Sequence, residues 1–171
     1  FVKGSGWDLE TIDVAGFAAV KLSVLQKMAT LDALTDKEMV KGQRAAMMDP
    51  SAPNPSVEAI LHAIIPFKYV DHTHADAVVT LTNNPRCKEI INEVYGDRVF
   101  VIPYVMPGFV LSKKVHELCQ GIDWSKLEGL VLLNHGLFTF DDQAKASYEK
   151  TIKLVSEAET YLEQFKSKND F

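Results

Sequence analysis

Hydrophobic and polar residues alternate along this chain in patterns that predict both strands and helices. Continuous apolar runs predict strands over residues 98–104 and 130–134. Apolar residues recur at helical spacing over 143–165, which predicts a long amphipathic helix at the end of the sequence. Residues 1–27 are predicted to be rich in strand, with the mostly apolar run over 17–25 as a strand.

Helix start signals and a proline-rich break organise the first half of the chain. The sequence Thr35-Asp36-Lys37-Glu38 matches a capping box and predicts a helix to about residue 48. Residues 49–55 contain three prolines, too many for a helix or a central strand, and are predicted to form a loop. This loop leads to Ser56, the expected cap of a helix over 57–65.

Short strands and helices alternate through the middle of the chain. The remaining predicted elements are a strand over 69–74, helices over 75–81, 85–95 and 112–119, and a strand over 137–140. This order of elements predicts an α/β fold in which helices cover a sheet.

Composition narrows the class of protein. The chain has 171 residues, of which 47% are hydrophobic and 24% charged, as expected for one globular domain spanning residues 1–171. Its net charge of -5, without a basic cluster, argues against nucleic acid as a partner, and no apolar run is long enough to predict a membrane span. Only two cysteines occur, which favours a reducing, cytoplasmic compartment. Because the sequence starts at Phe1, we expect an N-terminal segment to be missing.

Three histidines are candidate metal ligands. His72 and His74 are two residues apart on a predicted strand and therefore point to the same face. His135 follows the apolar strand over 130–134 and precedes Gly136, at a strand end of the kind where ligands gather in α/β domains. Three neutral imidazoles would leave the fourth position of zinc open, as in a catalytic site. The alternative is two polar strand residues and a hydrogen-bonded loop histidine.

Other candidate residues have ordinary structural explanations as well. Glu58 lies in the first turn of the helix that Ser56 is expected to cap, where its carboxylate either balances the helix dipole or transfers protons. His62, one turn later, is more simply a structural histidine than a fourth ligand. The Gly4-Ser5-Gly6 turn after Lys3 is either a small phosphate cradle or a common type of turn.

Five segments occur in an order that resembles the class II aldolase/adducin family. They are Gly4-Ser5-Gly6, Pro55-Ser56-Val57-Glu58, Asp71-His72-Thr73-His74, Pro103-Tyr104 and Asn134-His135-Gly136. The resemblance extends from Phe1 to the last helix. The amino-acid sequence of residues 65–77 is most similar to the aldolase portion of bifunctional rhamnulose-1-phosphate aldolase/short-chain alcohol dehydrogenase chains, although no dehydrogenase portion is present.

The resemblance implies a fold and an activity. It implies a three-layer α/β/α domain with a central, mainly antiparallel sheet, assembled as a homotetramer. It also implies a Zn²⁺ ion held by His72, His74 and His135. The implied enzyme is a class II aldehyde-lyase that cleaves a ketose 1-phosphate, such as rhamnulose or fuculose 1-phosphate. The products are dihydroxyacetone phosphate and an aldehyde, formed through a metal-stabilised enediolate.

The same resemblance implies roles for further residues. Glu58 matches the acid/base carboxylate, and Tyr104 matches a tyrosine that reaches the site of a neighbouring subunit. Ser5, Gly6 and Ser56 match the phosphate-binding positions. Two departures weaken the phosphate assignment: the upstream phosphate loop of the family would lie before the first residue, and Val57 replaces one serine of the usual Ser-Ser-Glu sequence. Tyr161 is not assigned to the C-terminal tyrosine of some family aldolases.

Four alternatives remain open at this stage. Two are enzymes of the same family, a pentulose-phosphate 4-epimerase and a methylthioribulose-phosphate dehydratase. The third is a non-catalytic, adducin-like module that binds cytoskeletal partners. Adducin-type domains are expected to lack the zinc histidines, whereas this chain keeps all three. The fourth is a folded but inactive fragment, which would result if the expected N-terminal segment is missing.

Overall fold

Strands and helices alternate, as the sequence predicts, in the computed structural model, which describes residues 1–165. The strands are β1 (Val2–Lys3), β2 (Phe17–Ala18), β3 (Tyr69–Thr73), β4 (Val99–Ile102), β5 (Gly129–Leu132) and β6 (Gly136–Asp141). The α-helices are α1 (Leu22–Ala29), α2 (Asp36–Ala45), α3 (Ala59–Ile64), α4 (Asp76–Thr82), α5 (Cys87–Tyr95), α6 (Phe109–Leu118) and α7 (Ala144–Glu163). Short 3-10 turns occur at Val14–Gly16, Gly96–Arg98 and Trp124–Lys126.

The first of two compact units comprises residues 1–66 and 105–121. It contains α1, α2, α3, α6 and the antiparallel pair of β1 and β2. Its core is built from buried apolar side chains of these helices, among them Leu25, Met28, Met39, Ile60 and Phe109.

Helix α2 confirms the capping box read from the sequence. The Thr35 hydroxyl accepts the N–H of Glu38 at 3.2 Å, and the Glu38 carboxylate accepts the N–H of Thr35 at 2.9 Å. The hydrogen bond from the Thr35 backbone holds the pKa of Glu38 below its usual value. The capping box thereby satisfies two N–H groups at the helix start that would otherwise lack a partner, those of Thr35 and Glu38.

The predicted strand over residues 17–25 is wrong. Only Phe17–Ala18 is strand, and α1 begins at Leu22. The buried residues of α1 are Leu25, Met28 and Ala29, a spacing of three and four that belongs to a helix. A continuous apolar run cannot distinguish a buried strand from a buried helix face, and here the tertiary core decides for the helix.

Two helix starts also differ from the prediction. Helix α3 begins at Ala59 instead of residue 57, and Ser56 does not cap it from the expected position. Instead, the Ser56 hydroxyl accepts the N–H of Glu58 at 3.2 Å, within the turn before the helix. Helix α6 begins at Phe109, three residues earlier than predicted, directly after Gly108 with its φ of 128°.

The second unit comprises, within the described residues, 67–104 and 122–165. It contains a four-stranded sheet in the order β3-β6-β5-β4. The β3–β6 and β6–β5 pairs are antiparallel, and the β5–β4 pair is parallel. The predicted α/β class with a mainly antiparallel sheet is confirmed.

Helices α4, α5 and α7 pack against one face of this sheet. Their contact with the strands is a core that includes Val78, Ile91, Val131, Leu137 and Leu154. Because strand residues alternate between faces, Phe138 and Phe140 lie on the opposite face of β6. Phe140 stacks there with Phe67, with 4.7 Å between ring centroids.

A charged network joins α7 to the ends of two strands. Arg98, just before β4, contacts Glu128 at 2.8 Å and Glu157 of α7 at 2.7 Å. Lys153 of α7 also contacts Glu128, at 2.6 Å. The hydrogen bond to Glu157 is the main cause of the raised pKa of Arg98. These pairs fix the position of α7 along the sheet.

Some expectations concern the chain as a whole. Within residues 1–165, no helix is long and apolar enough to span a membrane. Cys119 is buried, which raises the pKa of its thiol to about 11, and Cys87 is half-buried. Both are free cysteines. The assignment of residues 1–171 to a single domain stays a prediction.

Candidate metal centre

The second unit brings the three predicted metal ligands together. His72 lies on β3, His74 lies one residue beyond the end of this strand, and His135 lies in the turn between β5 and β6. Each offers one ring nitrogen, and these nitrogens lie within 4.8 Å of one another. Strand alternation places His72 and His74 on one side, and the antiparallel pairing of β3 with β6 brings His135 beside them.

The His72 ring is oriented by strand β6. Its Nδ1 lies 2.9 Å from the carbonyl oxygen of Leu137, which can only accept, so this hydrogen bond assigns the ring proton to Nδ1. The ring also stacks on Phe138, with centroids 4.0 Å apart and planes 13° apart. The remaining nitrogen, Nε2, therefore presents a lone pair in a fixed direction, as metal-binding histidines require.

His74 and His135 complete the group. Nε2 of His74 lies 2.9 Å from Nε2 of His72. The His135 ring centroid is 4.8 Å from that of His74 and 5.3 Å from that of His72. His74 is exposed while His72 and His135 are half-buried, so the cluster is open on one side.

Gly136 provides the space in which the histidine rings sit. A Cβ atom at this position would lie 3.0 Å from Cδ2 of His74 and 3.3 Å from Cε1 of His72. It would also collide with the carbonyl oxygen of Thr73. A side chain at position 136 is therefore opposed first by the Thr73 carbonyl and then by the two histidine rings.

The donor set fits a metal ion. Two nitrogens bound to one zinc at about 2.0–2.1 Å in a tetrahedral arrangement lie roughly 3.3 Å apart. The three nitrogens here approach that spacing, and the His72 ring already has the tautomer and the backbone acceptor that a ligand needs. Three imidazoles with an open side are typical of a catalytic metal site.

The predicted phosphate-binding and acid/base residues lie in the first unit. An isolated bridge between Gly4 and Pro55 brings the Gly4-Ser5-Gly6 turn beside Ser56 and Glu58. The N–H groups of Gly4 and Ser5 donate to the carbonyls of Gly16 and Asn54, at 2.7 and 2.8 Å. The expected cradle of backbone N–H groups is therefore largely committed to internal hydrogen bonds.

The two tyrosines considered from the sequence lie in the second unit. Tyr104 follows β4 and is 53% exposed. Tyr161 of α7 donates to Glu93 of α5 at 3.1 Å, and partial burial together with this bond raises the pKa of its hydroxyl. This contact ties Tyr161 to the helical layer.

Comparison with known proteins identifies the fold that carries these histidines. The family model for the class II aldolase and adducin N-terminal domain matches residues 1–162. The chain belongs to this family. The resemblance read from the five sequence segments is thereby confirmed.

Solved structures support the same conclusion about the aldolase domain. The N-terminal class II aldolase domain of a conserved protein from Thermoplasma acidophilum is 42% identical, with a TM-score of 0.83 over 94% of this chain and 73% of that one. A sugar-phosphate aldolase from Thermotoga maritima is 19% identical, with a TM-score of 0.55 over 73% of this chain and 60% of that one. At this identity the second likeness shows the fold alone.

A curated relative is much longer than this chain. The uncharacterized oxidoreductase YuxG of Bacillus subtilis (strain 168) is 40% identical over 163 residues, which are 95% of this chain. The chain spans 23% of the length of that relative.

Sequence reasoning missed the surroundings of the histidines. The Leu137 carbonyl that orients His72, and the Phe138 ring beneath it, depend on the pairing register of β3 and β6. Alternation predicts which residues share a face of one strand but not which residue of another strand lies opposite. Gly136 carried a readable signal, since it directly follows His135.

Proposed function

We propose that this chain is a zinc-dependent aldehyde-lyase that cleaves a ketose 1-phosphate, such as rhamnulose or fuculose 1-phosphate, to dihydroxyacetone phosphate and an aldehyde. The observation that carries the proposal is the convergence of His72, His74 and His135 within a domain of the class II aldolase family. Class II aldolases are metal-dependent enzymes, and adducin-type modules are expected to lack these histidines.

Zinc is the proposed metal because all three donors are neutral nitrogens. Imidazole ligands suit zinc, while calcium and magnesium prefer oxygen. The Leu137 carbonyl and the Phe138 ring hold His72 in the orientation needed to bind. When bound, zinc supplies Lewis-acid stabilisation of the negative charge that develops on the substrate oxygens.

Two protons must move when the bond between C3 and C4 breaks. The electron pair of that bond stays on C3, which then takes a proton, while the hydroxyl oxygen at C4 loses its proton and becomes the aldehyde oxygen. We assign the proton at C3 to the Glu58 carboxyl group and the proton at the aldehyde oxygen to Tyr104. The exposure of Tyr104 supports its proposed role in a neighbouring subunit of a homotetramer.

Ser5, Gly6 and Ser56 are the proposed phosphate contacts. The bridge between Gly4 and Pro55 supports this assignment because it brings these segments together. Since the N–H groups of Gly4 and Ser5 donate to carbonyls, we assign phosphate binding to the hydroxyls of Ser5 and Ser56 and to the backbone N–H of Gly6 rather than to a full backbone cradle.

The metal is tested first, because this test needs no knowledge of the substrate. We expect near-stoichiometric zinc in the purified protein by elemental mass spectrometry, and a sharp loss of zinc in His72→Ala. His116→Ala is the matched control, since His116 lies on α6 and its ring neighbours Gln120. An absence of zinc from the wild type, even after reloading, would refute the proposal.

The reaction is tested with the zinc-loaded protein and a panel of ketose 1-phosphates. Release of dihydroxyacetone phosphate, coupled to its reduction by an auxiliary dehydrogenase, is the expected result. Glu58→Gln keeps the side-chain shape and should retain zinc while losing cleavage by about 10²–10⁴-fold, the usual contribution of a general acid/base. Cleavage at the wild-type rate in this variant would remove Glu58 from the mechanism.

The same panel separates the lyase from the other candidates. Isomerised product without release of dihydroxyacetone phosphate would identify an epimerase, and loss of water would identify a dehydratase. A zinc-loaded protein that alters no sugar phosphate in the panel would favour a binding module. Sedimentation of the wild type tests the tetramer.

A further inference from the structure

We propose that the end of helix α4 positions His135 for metal binding, with Thr82 and Asn83 holding the turn at Asn134. Thr82, Asn83 and Asn134 act through His135 and are positioning residues, not ligands. This inference rests on the proposed metal function of the three histidines.

The turn that carries His135 has an unusual backbone. Asn134 has a φ of 57°, and it is the non-glycine residue with positive φ within residues 1–165. Residues of L configuration avoid this left-handed region, and asparagine tolerates it better than most. Since the next residue is His135, the conformation of Asn134 sets the direction in which the imidazole leaves the chain.

Two side chains at the end of α4 hold this conformation. The buried Thr82 hydroxyl, 1% exposed, accepts the backbone N–H of Asn134 at 3.1 Å. The same hydroxyl donates to the Val79 carbonyl at 3.0 Å, which fixes its lone pairs toward the turn. The amide of the Asn134 side chain donates to the side-chain oxygen of Asn83. One backbone and one side-chain bond thus connect the turn to successive residues of α4.

The other side of the turn is held by the sheet. The His135 N–H donates to the Leu132 carbonyl at 3.1 Å, and the Leu133 N–H donates to the Ile102 carbonyl at 3.0 Å. The peptide before His135 therefore has α4 contacts on one side and strand contacts on the other. Removing the α4 contacts should leave the sheet intact, but the His135 ring should no longer be held in one orientation.

Zinc affinity measures this effect directly. Thr82→Val keeps the shape of the side chain but removes the acceptor for Asn134. We expect its zinc dissociation constant, measured by competition with a chromophoric chelator, to rise at least tenfold, as is typical when a partner that orients a ligand is lost. Thr82→Ser keeps the hydroxyl and should bind zinc nearly as well as the wild type.

Thr80→Val is the matched control on the same helix. The Thr80 hydroxyl is exposed and donates to the Asp76 carbonyl within α4. This variant changes the same chemical group two residues away and should leave zinc affinity unchanged. A tenfold loss in Thr80→Val as well would attribute the effect to the helix and overturn the proposal.

A double-mutant cycle shows whether Thr82 acts through His135. In a His135→Ala background, Thr82→Val should cause no further loss of zinc affinity, because the ligand that it positions is absent. An equal loss in both backgrounds would overturn the proposal. If Thr82→Val fails to fold, the exposed Asn134 serves instead: Asn134→Ala should weaken binding, and Asn134→Gly, which favours positive φ, should weaken it less.

The possible failures are distinguishable. Unchanged zinc affinity in Thr82→Val, with zinc bound by the wild type, refutes the positioning role and leaves the proposed function standing. Thr82→Val could weaken zinc binding only when His135 is present, in a protein that cleaves no ketose 1-phosphate. That result refutes the proposed reaction and leaves the positioning role standing. A wild type that binds no zinc refutes both.

Discussion

Replacing Gly136 by alanine tests whether the close contact between β6 and the histidine rings sets the metal site. The φ of Gly136 is not in the positive region, so alanine should meet no backbone penalty there. Its effect comes from the added Cβ, which would collide with the Thr73 carbonyl oxygen of β3 and would lie 3.0 Å from His74 Cδ2 and 3.3 Å from His72 Cε1. Ordinary carbon contacts are about 3.5–4.0 Å.

The displacement follows from these distances. The His74 ring would have to move by about 0.5–1 Å and the His72 ring by about 0.2–0.7 Å to reach ordinary contact. Functional metal-ligand distances hold within about 0.2 Å. We therefore expect zinc affinity to fall at least tenfold, or about 1.4 kcal/mol. We also expect overpacking to lower the free energy of unfolding by about 1–3 kcal/mol.

Gly129→Ala on the neighbouring strand is the matched control. Its Cβ would meet the Phe138 carbonyl at 2.5 Å and the Leu154 side chain at 3.3 Å, without a histidine among its nearest contacts. Chelator competition should show a loss of zinc affinity in Gly136→Ala only, while urea denaturation shows a loss of stability in both. Wild-type zinc affinity in Gly136→Ala, or an equal loss in Gly129→Ala, would refute the reasoning.

Two further predictions concern how α7 is held to the sheet. Ser147 of α7 is buried and donates to the Asp71 carboxylate at 2.5 Å, so Ser147→Ala should lower the free energy of unfolding in urea by about 1.5–3 kcal/mol, and an unchanged value would contradict this. Burial alone would raise the pKa of Glu128, but hydrogen bonds from Lys153 and Arg98 outweigh it and hold the pKa below its usual value of 4.5. Because the folded-state pKa is lowered, this stabilisation is present above about pH 4.5 and is lost as the pH falls through the folded pKa. In thermal denaturation between pH 3 and 7, the stability of Glu128→Gln should therefore fall less steeply with decreasing pH than that of the wild type. Parallel curves of stability against pH for the two proteins would argue against the effect.

The candidate site was predicted in part because its signals are local. The alternation of strand residues between two faces is enough to predict that His72 and His74 point to the same side. The segments that contain Glu58, His72 with His74, and His135 are each only three or four residues long. The capping box at Thr35 was correct for the same reason, since both of its hydrogen bonds join residues three apart. By contrast, the apolar run over 17–25 carries no period that separates strand from helix, and its assignment was wrong.

Sequence alone therefore determined which residues are candidates for metal binding and catalysis, and which faces of single elements they occupy. The tertiary structure decided the orientation of the imidazole rings. The Leu137 carbonyl that fixes His72 is 65 residues away along the chain, and the Thr82 hydroxyl that holds Asn134 is 52 residues away. Local propensity and periodicity contain no information on such pairs, because these contacts exist only once the register of β3 on β6 and the packing of α4 are fixed.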